Sequence, residues 1–416
     1  MTLALLWLAA DLLEVRLTHT VSTRDARPGD PVRAVALRPA SVAGEPVYGA
    51  VTDVVRLGLG FKHCAARMTI RFDRVGEIPL RQARLVEVET AREHVDPTGT
   101  IHGISPAASI SSSLGSYAWR LTYIAPMTGM AVWGTKFFFA RAPDPEITLP
   151  RGAELRIEAD LDEADSPYPQ TFGEVQDLPE RVVRDGRGRE ADRVNLLLTG
   201  SREDVRRAFR AAGWVEAEPR TPLSCFRTFL RVMQRSTHAN ASMAPLTLGG
   251  RRADLNFQKS LNTFSRRHHV RLWDLGDGRW AGAATEDVRV VFSKQTMRWT
   301  HAIDPEIDRE RDKIVSDLAY TGCVPALGYH SPDGVSVTGL VTDRRIARVE
   351  IDDCAFPRTM PPLEQPAARC SLRAEIARNN PASLIVTKAH LLKRTAANAL
   401  AGRRPQTTAY TSRDER

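Results

Sequence analysis

The sequence predicts an α+β protein, with an N-terminal β-rich barrel or sandwich domain followed by an α+β domain. Three observations carry that expectation. Residues 12–165 hold short alternating runs separated by Pro/Gly turns, without helical periodicity. Residues 193–345 mix strand-like runs with capped amphipathic helices. Between them, residues 166–192 ("SPYPQTFGEVQDLPERVVRDGRGREAD") are dense in proline and charge, as an interdomain linker would be.

The elements follow in order. Leu13, Val15 and Leu17 alternate with Glu14, Arg16 and Thr18, so the chain there reads as a strand with one apolar side. "RPGDPV" is a turn, and "YGAVTDVVRLG", "ARMTIRFDRV" and "LRQARLVEV" are further strands. The apolar stretch "AWRLTYIAPMTGMAVWGTKFFFA" contains Arg120 and Lys136. It reads as two core strands around a turn, not as a membrane helix. "ITLPRGAELRIEADL" closes the set with two short strands. The phrases "PGDPV" and "LPRGAELRI" are similar to β-barrel modules of bacterial envelope proteins.

In the second domain "VNLLLTG" is a buried-strand run. A helix follows, with Ser201 as N-cap, Asp204 at N3, an apolar stripe of Val205, Ala208, Phe209 and Ala212, and Gly213 as its stop. Another helix is expected after Thr221-Pro222, with Leu223, Phe226, Leu230 and Met233 at helical spacing. Strands are expected near 245–258, 267–274 and 279–292. The last helix has Asp304 as N-cap, Pro305 at its first position, and Ile307, Ile314, Val315 and Leu318 facing inward. Residues 346–416 read as an irregular segment and a basic tail.

A chain of 416 residues is long enough for two or three domains, and 42% apolar with 26% charged residues is ordinary for a globular protein. The net charge of +8 points to anionic partners. More than half of it sits in residues 388–416: Lys388, Lys393, Arg394, Arg403, Arg404, Arg413 and Arg416 against Asp414 and Glu415. Five cysteines without a CxxC spacing exclude a disulfide scaffold and a zinc ribbon, leaving room for one bridge such as Cys354–Cys370. Leu3–Ala10 resembles a signal-peptide core, but it lacks a basic lead-in, is interrupted by Asp11 and Glu14, and is too short to span a bilayer. The expected location is the periplasm or a membrane surface, or the cytoplasm if Met1 is the true start and nothing is cleaved.

Several phrases are distinctive as a set: "VNLLLTGSREDVRRAFRAAGW", "LTLGGRRADLNFQKS", "RRHHVRLWDL", "WAGAATEDVRV" and "THAIDPEIDRERDKIVSDL". Together they resemble the LssY C-terminal domain family of bacteria, over about residues 190–325. In many relatives such a module accompanies membrane-embedded phosphatase-like domains, so the resemblance implies an envelope or lipid-phosphate setting. It implies no particular catalytic residue.

Within "RRHHVRLW" the twin histidines suggest a metal motif, but an extended chain sends neighbours to opposite faces. Arg266, His268, Val270 and Leu272 then share one side, and Arg267, His269, Arg271 and Trp273 the other. On its own residues, His268 reads as a core histidine satisfied by hydrogen bonds, or as a metal ligand assembled with His301. The Arg267/His269/Arg271 stripe beside Trp273 reads either as a phosphate or carboxylate site or as a partner for the protein's own acids, such as Asp287. Asp304, Asp308 and Asp312 recur every four residues, a repulsion that calls for a cation: arginines, or a divalent metal held by His301, Asp304 and Asp308, with His268 or Asp312 assisting.

Other motifs fail. "GMAVWGTK" has the wrong order for a P-loop, and GxSxG, HExxH and GxGxxG are missing. Cys225 sits on an apolar helix stripe and reads as core. No aromatic–basic alternation supports nucleic-acid binding. Two functions remain: an envelope-associated module that binds an anionic lipid or another phosphate-bearing ligand through Arg267, His269, Arg271 and Trp273, without a cofactor, or a metal-assisted phosphoester hydrolase. Docking on other envelope proteins is the further expectation, and no transmembrane span is expected.

Overall fold

A computed structural model describes residues 11–56, 65–89, 93–103, 146–160, 181–219, 241–260, 267–293, 298–330 and 341–364, with Met127, Thr221 and Ser224 between them. The described residues are mostly β. Among them no helix is long and apolar enough to cross a membrane.

The first sheet contains β1 (Asp11–Leu17), β2 (Pro31–Arg38), β3 (Pro46–Val55), β4 (Arg67–Val75), β5 (Arg81–Val88), β6 (Thr100–His102) and β7 (Glu154–Asp160). Their order is β5-β7-β1-β2-β3-β4-β6, antiparallel throughout, with His94–Val95 paired beyond β6. The sheet curls until its two ends meet. Arg84 of β5 donates to the carbonyl of Pro97, in the turn between His94–Val95 and β6, at 2.6 Å. A nearly closed barrel results, whose core takes one residue in two from each strand: Leu13, Val15 and Leu17 with Ile70, Phe72, Leu85, Leu155 and Ile157.

The second sheet contains β8 (Leu196–Thr199), β9 (Val215–Glu216), β10 (Leu255–Ser260), β11 (Arg267–Gly276), β12 (Arg279–Ser293), β13 (Arg298–Ile303), β14 (Ala326–His330) and β15 (Ile346–Glu350). The order is β9-β10-β11-β12-β8-β15-β14, with β13 also on β12. Only β8 and β15 run parallel among these described pairs. Helices α1 (Arg202–Ala211) and α2 (Ile307–Tyr320) cover one face. Leu198, Phe209, Trp214, Phe257, Val270, Leu272, Ile314 and Leu318 form the core there. A hairpin of Val182–Arg184 and Glu190–Arg193, joined by Thr247–Leu248 and Arg251–Arg252, forms a small sheet of its own. Val183, Val194 and Leu248 pack with Trp273, Ala281 and Ala283 on the opposite face of the second sheet. That hairpin lies within the stretch that composition marks as a linker.

Local signals place α1 well. Ser201 Oγ accepts from the Asp204 amide at 3.1 Å, and Gly213 turns the chain with φ +79°. The second helix begins later than its caps suggest. Asp304 accepts from the Glu306 amide at 3.0 Å, and Glu306 bridges to Val341, so helical backbone starts at Ile307. The bridge is a correction too: Cys354 pairs with Cys323, not Cys370. Cys323 follows α2 and Cys354 follows β15, and a bond from the Asp352 amide to the Cys323 carbonyl (3.0 Å) holds the two segments together. The helix expected after Pro222 with its Cys225, the stretch around Arg120 and Lys136, the leader and the basic tail lie outside the described residues.

The barrel and the second sheet meet across α2. Val35 and Leu37 of β2 share a small core with Tyr320 of α2 and with Met360. A strap after β15 ties them again: the amides of Arg358, Met360 and Glu364 donate to the carbonyls of Thr321, Ala211 and Arg151.

Candidate functional site

On the barrel, the side chains that alternate out of its core on β1 and β7 are Glu14, Arg16, Glu154 and Arg156, and Glu87 and Glu89 do the same along and just after β5. In an isolated barrel they would face water. Here Glu14, Arg16, Glu89, Glu154 and Arg156 are buried against the second domain. Opposite them α2 presents Glu310, Lys313 and Asp317, spaced three and four apart on one stripe. Lys259 of β10, His268 of β11 and Glu286 of β12 complete the layer, all buried.

The charges are matched pair by pair. Arg156 reaches Glu14 (3.0 Å), Glu87 (2.7 Å) and Glu89 (3.1 Å). Glu154 takes Arg16, Lys313 and Lys259, the last at 2.9 Å. Asp317 accepts from Lys259 (2.8 Å) and from the Trp214 indole (2.9 Å). Burial raises the Glu154 carboxyl, but Lys259, Lys313 and Arg16 outweigh it and hold the group down at about 2. Burial likewise opposes the charge on Lys313, and Asp317, Glu154 and Glu89 overcome it, so its ammonium is held well above the usual lysine range.

His268 lies at the end of this layer. Its Nδ1 is 2.7 Å from Glu310 Oε2, and its Nε2 is 3.5 Å from Glu89 Oε2 on the barrel. Glu286 stands directly opposite it across the β11–β12 ladder. Burial disfavours the imidazolium, yet Glu310 and Glu89 raise the imidazole well above its ordinary value. Burial also raises the Glu310 carboxyl. Both shifts keep a proton between Nδ1 and Oε2.

The other face of β11 carries Arg267, His269, Arg271 and Trp273, and it is closed. Arg267 meets Asp287 at 2.9 Å, His269 meets the Thr285 hydroxyl at 3.0 Å, and Arg271 meets Asp192 at 3.4 Å. The Trp273 indole donates to the Arg251 carbonyl at 3.0 Å. All four are buried. Burial raises Asp192 to about 6, with Arg271 opposing, and burial lowers the Arg271 guanidinium. An outside anion has no open side on this stripe.

The acids just before and along α2 are dispersed. Asp304 lies 3.8 Å from Arg309. Asp308 is held by Arg311 (3.1 Å) and the Thr342 hydroxyl (2.9 Å), while Asp312 is held by Arg311 (2.8 Å) and Tyr329 (3.0 Å). Arginine therefore supplies the cation that the Asp308/Asp312 spacing calls for. His301 sits on β13 opposite Val290, and its side chain lies outside the described residues. His268, with Glu310 and Glu89 as its partners, is not brought to Asp304 or Asp308.

A second arrangement went unread in the sequence. Arg181, Arg193, Arg344 and Arg345, with Asn195, Thr342 and Ile307, line a cavity of about 30 Å³ between the hairpin and the start of α2. Burial lowers Arg193, and Arg181 and then Arg344 push it the same way against Glu190. Arg345 is also paired with Asp343 at 2.8 Å. These arginines lie far apart in sequence, so spacing could not have assembled them. The stripe of Glu310, Lys313 and Asp317 did carry a signal: it lies beside Ile314 and Leu318, where charge on a core-facing helix demands partners.

Compared with known proteins, residues 174–334 match the family described as LssY C-terminus. The match takes in the hairpin, both helices and β8–β14, and leaves the barrel outside. No curated protein and no solved structure matches the chain.

Proposed function

We propose that the LssY C-terminus module is an anion-binding module that takes the phosphate of a phosphate-bearing ligand or anionic lipid in the Arg181/Arg193/Arg344/Arg345 cavity. One observation carries this reading: four arginines line one cavity, where burial first and then repulsion from Arg181 and Arg344 disfavour the charge on Arg193, against the pull of Glu190. An anion relieves that repulsion, and guanidinium forks match phosphate oxygens. At about 30 Å³ the cavity has room for water-sized groups such as the oxygens of one phosphate, not for a whole substrate. Binding therefore belongs here and not on the covered Arg267, His269, Arg271 and Trp273 stripe. An envelope setting accords with the Cys323–Cys354 disulfide, since such bonds persist in oxidising compartments.

The test uses the full chain, inorganic phosphate and vesicles containing phosphatidic acid. Phosphate raises the unfolding temperature, and the R193A/R344A double variant loses at least tenfold in affinity. If vesicles bind and free phosphate does not, the ligand is a lipid head group. No binding of either, or binding indifferent to the double variant, rejects the reading.

A further inference from the structure

Among the described residues, one group of three histidine, cysteine or acidic side chains brings its ligand atoms within 4.8 Å of one another: His268, Glu286 and Glu310. They come from three elements, β11, β12 and α2, that converge where the module meets the barrel. All are buried, at 1%, 7% and 3% exposure. We infer that these three residues form a structural site for one divalent transition-metal ion between the barrel and the LssY C-terminus module, with Glu89 of the barrel orienting the imidazole.

Four features support the site. An imidazole with carboxylates is a donor set for zinc, manganese or ferrous iron, and each carboxylate binds through one oxygen or both. Donors around such an ion lie about 3–4 Å apart, since each sits about 2.0–2.2 Å from it, so small side-chain adjustments close the present spacing. Glu310 has an acceptor to spare: its Oε1 is buried and makes no hydrogen bond, while Oε2 faces His268 Nδ1 at 2.7 Å. The imidazole already turns Nδ1 toward Glu310 Oε2, so an ion there would displace the proton the two share, while Nε2 faces Glu89 Oε2 at 3.5 Å, too long for a hydrogen bond, on the side where a metal-bound histidine meets its carboxylate.

Two described cations of the layer are engaged by other acids. Lys313 is bonded to Glu154 and lies 3.6 Å from Glu89, while Lys259 spans Glu154 and Asp317. All three ligands are deeply buried and belong to the module, so the ion would brace the module's own face where it meets Glu89 of the barrel, out of reach of a bulky substrate. This site does not depend on the anion cavity, which is built from other residues.

The experiment begins with full-length protein stripped by a chelator, which then receives one equivalent of Zn²⁺ or Mn²⁺. One ion is retained through gel filtration and the unfolding temperature rises. Glu310→Gln and Glu286→Gln each weaken binding by at least tenfold, while Asp308→Asn leaves it unchanged. Anomalous scattering from metal-loaded crystals of the wild-type chain shows one peak bounded by His268, Glu286 and Glu310, and this decides the matter even where a variant does not fold. No retained ion, a peak elsewhere, or equal affinity in a folded Glu310→Gln protein overturns the assignment.

Discussion

Asp317 shows how much can rest on one carboxylate in the buried layer. It is 0% exposed and accepts from both Lys259 and Trp214. Asparagine has the same shape and can keep one oxygen on both donors, yet it removes a counter-charge from Lys259 and puts an NH2 in place of Oδ1, which lies 3.8 Å from the Lys313 ammonium. Breaking a buried pair on one side costs about 3–5 kcal/mol. Asp317→Asn should lower the stability measured in urea by that amount. Asp185→Asn, which removes an exposed, solvent-screened pair with Arg189, should cost far less. The same contrast explains what single residues disclosed in advance. Extended-chain parity does send His268 toward Val270 and the helices and His269 toward Thr285. Parity says which side a residue takes and nothing about what lies there. Glu14 and Arg16 alternate out of a barrel core as surface residues do, and only the docked second domain turns them into interior groups.

Elements were readable to the extent that their determinants are local. The cap, apolar stripe and terminal glycine of α1 all lie between Ser201 and Gly213, and the helix spans that interval. The start of α2 depends on Glu306 bridging to Val341, a partner far along the chain, and so escaped a reading of caps. Strand β11 misleads for a related reason: ion pairs let it bury both faces while carrying two arginines and two histidines. The Cys323–Cys354 bridge is likewise a product of tertiary placement, between the end of α2 and the segment after β15. Both half-cystines are buried, and the bond closes a loop with a sequence separation of 31. Chain-entropy reasoning puts the stabilisation from such a loop at about 3–4 kcal/mol. Unfolding in denaturant with and without a reductant should differ by about that much. The Cys323→Ala/Cys354→Ala protein should match the reduced wild type and show no response to reductant.

At the scale of the whole molecule, the unusual choice is to join two domains through a buried charged layer beside only a small apolar contact. Such a contact is costly to desolvate and tolerates few arrangements, because each buried ion must meet its partner. It therefore fixes one orientation of the barrel against the module, and it makes their union depend on pH. Glu154 is the centre of that dependence, facing Arg16 from its own barrel and Lys259 and Lys313 from the module, with Glu89 as the opposing acid. Its carboxyl is held at about 2, below the ordinary 4.5. A depressed acid stabilises the folded state above its unfolded value, and the contribution is lost as pH falls through the folded one. The stabilisation is thus full above about 4.5 and disappears toward pH 2, a span worth about 3 kcal/mol at roughly 1.4 kcal/mol per unit. Calorimetry at neutral pH should show barrel and module unfolding together in one transition. Between pH 4.5 and 2 the transition should weaken, and it should divide in two as the domains part. Glu154→Gln should reproduce the division at neutral pH, because an amide cannot balance Arg16 and two lysines at once. If the domains keep a single transition down to pH 2, the apolar contact of Val35, Leu37, Tyr320 and Met360 holds them, and the charged layer is only carried along.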